Sequence, residues 1–230
     1  VTHELKGRPR LLDLYCCAGG CTKGYQRAGF YVVGVDKNPQ PNYCGDEFVQ
    51  ADVRDFLHPW QRRLDFDAVH ASPPCQFRTS YRRRPGHVRP SENLIPVTRY
   101  LLEGTGLPYV IENVPEAREF LRDPIMLCGS SFGLEVRRHR LFEATVWGLS
   151  PACSHGQQNG DWPQATNREN RRKTAEIGVW RIPLKDQKRA MGVDWDVTLP
   201  ELSQMIPPAY TEHIGHYLMA QILEAEAVAP

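Results

Sequence analysis

The stretch "RLLDLYCCAGGCTKGYQRAGFYVVGVD", residues 10–36, decides how this chain folds. Its first six residues form a short apolar run that stops at "CCAGGCTKG", a turn carrying two adjacent glycines. A run of that length meeting such a turn reads as a buried strand entering a glycine loop. "GYQRAGF" then fits a short helix ending at Gly29, and "YVVGVD" is a β-branched run that ends in the acid Asp36, a second strand.

The same alternation continues outward. "FVQADV" reads as a third strand meeting Asp52 near its end, and "FDAVHASPP" as a fourth that Pro73 and Pro74 terminate. "ENLIPVTRYLLEGTG" has helical spacing and a glycine stop. "LPYVIENVP" is a fifth strand, apolar as far as Glu112; "PIMLCGSSFG" and "HRLFEATV" read as later strands. Short apolar strands alternating with helices predict an α/β fold with a doubly wound sheet. Ligands of such sheets gather beyond the carboxyl ends of the strands. The glycine loop, Asp36, Cys75 and Glu112 all fall there, so separate strand readings point to one crevice.

From Gly148 the character changes. "GLSPACSHGQQNGDWPQATNRENRRKTAEIGVWR" is polar, with scattered Pro, Gly, Asn and Trp. It is too short for a full domain and too mixed for a linker. Three units are therefore expected: a main domain over 1–147, a small inserted module over 148–183, and helices over 184–230 that complete the main domain.

Composition narrows the class. The chain has 230 residues, 41% hydrophobic and 24% charged, ordinary values for a globular protein. No apolar run approaches the ~20 residues of a membrane span, and "VTHELKGRPRLL" lacks the apolar segment of a secretory signal. A cytoplasmic location without membrane contact is expected. The seven cysteines include an adjacent pair and no CxxC, a poor disulfide or zinc framework. Cys153 and His155 offer two ligands, but the spacing reveals no second pair, and no metal is expected.

The net charge of +1 hides local clusters. Residues 76–91 carry Arg78, Arg82, Arg83, Arg84 and Arg89 and no acid. Arg137, Arg138 and Arg140 form a second cluster; Arg168, Arg171, Arg172 and Lys173 form a third. Runs of this kind are commonly solvated loops; the place of the first run beside Cys75 is what points to a polyanionic partner.

"DLYCCAGGCTKGYQRAGF", "GVDKN", "ADVRDF", "SPPCQ", "ENV", "RRHRLF" and "MIPPAYTEHIGHYL" occur in that order. The ordered set resembles the DNA cytosine-5 methyltransferase family, over residues 11–147 and 184–223. Three positions depart from the family's pattern. Cys17 stands where the glycine loop carries its middle glycine, Val136 replaces the glutamine of QxRxR, and Gln204 replaces the asparagine of GNxVP. The recognition region is also far smaller than relatives carry.

The resemblance implies a Rossmann-like sheet that binds S-adenosylmethionine and releases S-adenosylhomocysteine. It implies that cytosine is flipped from double-stranded DNA, at a cost of roughly a few kcal/mol. The Cys75 thiolate then adds to carbon 6, which makes carbon 5 nucleophilic. Nearby arginines and N–H groups are expected to favour that thiolate. Glu112, with a pKa raised by an enclosed site, assists at ring nitrogen 3. Arg140, with Arg138, holds the base oxygen and neighbouring groups. Gly19 and Gly20 let backbone approach the methionine part of the cofactor. Asp36 accepts ribose hydroxyls, Asp52 accepts from the adenine amino group with Val53 beside the ring, and Tyr15, Pro74 and Leu94 line the ligand. Gln76 and the arginines of 78–89 form a mobile loop that grips phosphates. Arg171, Arg172 and Lys173 belong to the module expected to read a short site, about two to four base pairs.

The chain is expected to act as a monomer, close to the nucleoid of a bacterial or phage-infected cell, in restriction–modification or phage self-protection. Two rival readings share these residues: a tRNA cytosine-5 methyltransferase, and a non-catalytic DNA-binding relative.

Overall fold

Successive side chains on a strand point to opposite faces. In β1 (Arg10–Leu14) this sends Leu12 and Leu14 into one core and Leu11 into another. The strands β2 (Tyr31–Asp36), β4 (Ala68–Ala71) and β5 (Tyr109–Asn113) divide in the same way. Val35, Val69 and Ile111 join the first core; Val32, Ala68 and Val110 join the second. A sheet apolar on both faces requires helices on both.

The computed structural model describes residues 7–57, 65–75, 92–146, 148, 150–163 and 171–228. With β3 (Glu47–Gln50), β6 (Ile125–Leu127) and β7 (Arg140–Ala144), the sheet has seven strands in the order β3-β2-β1-β4-β5-β7-β6. The strands from β1 to β5 pair in parallel, and β7 runs antiparallel between β5 and β6. This is the doubly wound α/β sheet expected from the sequence.

One face is covered by α1 (Gly20–Arg27) and α6 (Pro208–Val228). Tyr210, Ile214, Leu218 and Ile222 recur every four residues along α6, so they form one stripe against Tyr25 and Phe30. Thr211 Oγ1 donates to the Cys21 carbonyl at 2.8 Å and fixes the α1–α6 contact. The other face is covered by α2 (Val53–Phe56) and α3 (Ile95–Thr105), which bury Phe56, Ile95 and Leu102. Arg99 of α3 forms a buried fork with Glu143 of β7, at 2.7 and 2.6 Å.

A third core joins the polar insert to the C-terminal region. Trp162, Ala175 and Ile182 pack with Val136 and with residues of α4 (Leu184–Met191) and α5 (Leu199–Gln204). Within the insert, β8 (Trp162–Pro163) pairs with β9 (Arg171–Arg172). Over 199–228, where helical spacing runs on across Pro207 and Pro208, the chain forms two helices. Met205 is extended, and Pro208 opens α6, where its missing N–H costs nothing. Among the described residues, no helix is long and apolar enough to cross a membrane.

Candidate active site

The chain leaves β4 through Ser72, whose N–H still donates to the Leu14 carbonyl, and turns at Pro73 and Pro74. Two prolines leave this turn short of donors, and Asn113 compensates from the neighbouring strand. Its Nδ2 donates to the Pro73 carbonyl at 2.9 Å, and Asn113 itself is buried. Cys75 follows at once, half-buried against the first core. Asn113 is a positioning residue that sequence reading did not identify, although it stands beside Glu112 in "ENV".

Glu112, one residue back on β5, is 7% exposed. Arg140, at the start of the antiparallel partner β7, donates Nε to Glu112 Oε1 at 3.0 Å. Burial raises the Glu112 pKa, opposed by Arg140 and by a hydrogen bond from Ser72. Burial also raises the Cys75 thiol, the Glu112 charge adds to the rise, and Arg140 and Arg138 oppose it. Arg140, Arg138 and a backbone N–H favour the thiolate, as the sequence reading expected, but desolvation outweighs them in this arrangement.

The two arginines do different work. Arg138 stands at a positive φ of 41° and donates Nε to the Met205 carbonyl at 2.7 Å and Nη2 to the Ser203 carbonyl at 2.6 Å. Those bonds tie it to the α5–α6 junction. Arg140 faces Glu112.

Beyond β1 the backbone is strained. Tyr15 and Cys17 both take positive φ, 59° and 46°, where a Cβ crowds the backbone. Cys17 occupies the very position at which the family carries glycine. Its thiol lies 4.0 Å from Gln204 Oε1, so two departures from the family's pattern are neighbours. Gly19 and Gly20 meet a constraint from the protein itself. A Cβ on Gly19 would lie 2.6 Å from Cys44 Sγ, and one on Gly20 2.7 Å from the Ile206 carbonyl.

Asp36 is buried at the carboxyl end of β2, where it accepts from the N–H groups of Cys17 and Asn38 at 3.2 and 2.9 Å. These two bonds leave lone pairs for hydroxyl donors. Asp52 caps α2 and is gripped by Arg54, whose backbone N–H, Nε and Nη2 reach it at 2.9, 3.0 and 2.9 Å. That grip holds the Asp52 carboxyl below its ordinary range. Val53 is buried at the start of α2, and Tyr15 donates to or accepts from Thr98 Oγ1 at 3.0 Å. Pro74 and Leu94 are half-buried, Leu94 immediately before α3.

A cleft of about 590 Å³ opens beside Arg138 and Arg140. One wall holds Arg137, Arg138 and Arg140; the other holds Arg172 and Lys173. Arg172 pairs with Glu176. Gln76, Arg78, Arg82, Arg83, Arg84 and Arg89 lie outside the described residues, and of Arg171 the structure gives only its place in β9.

Two further clusters stand near the site. Asp13, Cys21 and His70 lie together under the glycine loop, fully buried. His70 uses Nδ1 on Tyr25 and Nε2 on Ser72, so both its ring nitrogens are already engaged. The other cluster corrects the sequence reading of cysteine: Cys153 and His155 do meet a second pair, Cys128 and His139.

No family model matches the chain. The Type II methyltransferase M.AgeI of Thalassovita gelatinovora is 23% identical over 164 residues, 58% of this chain and 38% of that relative. The chain therefore matches well under half the length of this curated relative. Two solved structures share the fold across nearly their whole length. One is described as a DNA modification methyltransferase encoded within an E. coli prophage, with TM-score 0.60, 14% identity, and 94% and 99% of the two chains covered. The other is S. pombe Dnmt2 methyltransferase, with TM-score 0.57, 15% identity, and 95% and 99% covered. The chain thus shares the fold of these two methyltransferase structures, a Rossmann-like α/β sheet. On its ordered motifs, on a curated methyltransferase relative and on the fold of solved methyltransferases, this chain resembles the DNA cytosine-5 methyltransferase family.

Proposed function

We propose that the protein is a DNA cytosine-5 methyltransferase that uses S-adenosylmethionine. The observation that carries this reading is the meeting of Cys75, Glu112 and Arg140 where β4, β5 and β7 adjoin, with Arg140 on Glu112 at 3.0 Å. The names of the M.AgeI relative and of the prophage protein support DNA as substrate. So does the cleft lined by Arg137, Arg138, Arg140, Arg172 and Lys173, which suits phosphate groups.

Each residue then has a part. Cys75 Sγ bonds to carbon 6 of a flipped cytosine. Pro73, held by Asn113, sets the direction of attack. Glu112, whose carboxyl burial keeps protonated to higher pH, donates to ring nitrogen 3 as the adduct forms. Arg140 orients Glu112 and presents its remaining N–H groups to the base oxygen. Loss of the carbon-5 proton to a base or water then expels Cys75 as its thiolate, and ring nitrogen 3 returns its proton to Glu112.

The crevice residues fit the cofactor. Asp36 has free acceptor capacity at the end of β2, and the Gly19–Gly20 turn opens beside it. Asp36 would hold the ribose, Asp52 and Val53 the adenine end, and Tyr15, Pro74 and Leu94 the flanks. Bound S-adenosylmethionine supplies the electrophilic methyl group. Mass spectrometry of nucleosides from treated duplex DNA and treated tRNA tests the reading. It predicts 5-methylcytosine in DNA; 5-methylcytosine in tRNA alone would transfer the activity to RNA.

A further inference from the structure

We propose that Cys128, His139, Cys153 and His155 bind one zinc ion, which pins the insert to the strands that present Arg140. The four ligand atoms, two Sγ and two imidazole nitrogens, all lie within 4.8 Å of one another. Cys128 Sγ is 3.3 Å from His155 Nε2, and Cys153 Sγ is 3.5 Å from His139 Nε2. A tetrahedral zinc with bonds of about 2.3 Å to sulfur and about 2.0–2.1 Å to nitrogen has sulfur-to-nitrogen edges of about 3.6 Å. Two sulfur-to-nitrogen edges thus already stand close to the spacing of a coordination shell. Four protein ligands close that shell, as in structural zinc sites.

The fold explains the convergence. In the antiparallel β6–β7 pair, Leu127 is opposite Arg140. Cys128 follows β6 directly and His139 directly precedes β7, so both leave the same end of the ladder. The insert then brings Cys153 and His155, two residues apart, over that pair. Its approach is held by Ser131 Oγ donating to the Ala152 carbonyl at 2.9 Å and by the Ser154 N–H donating to Ser130 Oγ at 3.0 Å. Ser130 Oγ also lies 3.1 Å from Cys128 Sγ, the place of an outer partner that orients a thiolate. Two thiolates cancel the charge of the dication, so the ion would add no charge beside Arg138 and Arg140. It would fix His139, the residue between those arginines, and with it the strained turn at Arg138.

Full-length protein purified under reducing, chelator-free conditions is the material for the test. Elemental analysis is expected to give one zinc per chain. Replacement of zinc by cobalt is expected to give tetrahedral ligand-field bands and a thiolate-to-cobalt charge-transfer band. Cys153 is exposed, so Cys153→Ser removes a ligand without opening the core. It is expected to lower the zinc content at least tenfold and abolish the charge-transfer band from that sulfur, while circular dichroism shows the sheet intact. His155→Ala is expected to lose zinc likewise, and Cys153→His, which restores a ligand, to retain it. Protein that carries no zinc and takes up no cobalt would overturn the proposal. So would stoichiometric zinc in both Cys153→Ser and His155→Ala, or a Cys128–Cys153 disulfide in anaerobically prepared protein.

Discussion

Arg140 Nε lies 3.0 Å from Glu112 Oε1, across the antiparallel pairing of β7 with β5. The contact sets two opposed influences on the same carboxyl: burial raises its pKa and the guanidinium lowers it. Through Glu112 it also reaches Cys75, whose thiol the Glu112 charge helps to raise. Glu112→Gln therefore has a split consequence. It removes the proton donor, so single-turnover methylation should fall about 10²–10⁴-fold. In the DNA-free protein, in the fraction where Glu112 is ionised against Arg140, it also removes a negative charge beside Cys75, so alkylation of Cys75 by iodoacetamide should become faster. Slower alkylation in the variant would show that Glu112 does not act on the thiol as described.

Asn113 has no part in the chemistry, yet its amide holds the Pro73 carbonyl. Asn113→Ala leaves that buried acceptor unpaired, at a cost of about 1–3 kcal/mol in stability. The turn before Cys75 also loses its anchor, so kcat should drop while the KM for DNA stays within a few-fold. A KM effect with unchanged kcat would place Asn113 in DNA binding instead. Urea unfolding and steady-state kinetics separate the two results.

Asp13 gives the fold a pH dependence. It is fully buried on β1, accepts from Thr22 Oγ1 at 2.5 Å, and has Oδ1 buried without a partner among the described residues. Burial pushes its pKa from 3.8 up to about 7. The folded state then holds a proton that the unfolded state has released, so this contribution to stability is complete below the unfolded value. It is lost as pH rises from there through about 7. A shift of that size corresponds to about 4 kcal/mol as an order of magnitude. Asp13→Asn should remove most of the decline, measured by urea unfolding on either side of neutral pH. An unchanged slope would place the ionisation elsewhere.

Cys17 sits at φ 46° where the resembled family has glycine. The left-handed backbone costs a residue with a Cβ about 1–2 kcal/mol, and glycine returns part of that gain through its freer unfolded state. Cys17→Gly should raise stability by about 0.5–1 kcal/mol, or about 1–4 °C in melting temperature for a chain of this size. A lower melting temperature would mean that the contact of Cys17 with Gln204 outweighs the strain.

How much of this was legible in the sequence depends on how local each cause is. The β1–loop–α1–β2 unit was readable, since a buried parallel strand is an apolar run and the turn after it carries its glycines. The reason for those glycines was not: Gly19 and Gly20 make room for Cys44 and Ile206, far along the chain. Cys75, Glu112 and Arg140 stood out only as members of an ordered set, because nothing local marks a buried carboxyl on the neighbouring strand as a partner. The α5–α6 break was written in Pro207 and Pro208, but apolar spacing runs straight through it. The cluster of Cys128, His139, Cys153 and His155 was hidden because its spacing follows the β6–β7 register and matches no linear motif.

The most direct test of the central claim is covalent trapping. Duplex DNA carrying 5-fluorocytosine, incubated with the protein and S-adenosylmethionine, should yield a protein–DNA adduct stable to denaturation. Peptide mapping should place the bond on Cys75, and Cys75→Ser should form none. Methylation of ordinary DNA with no trapped adduct, or an adduct on a different residue, would contradict the account.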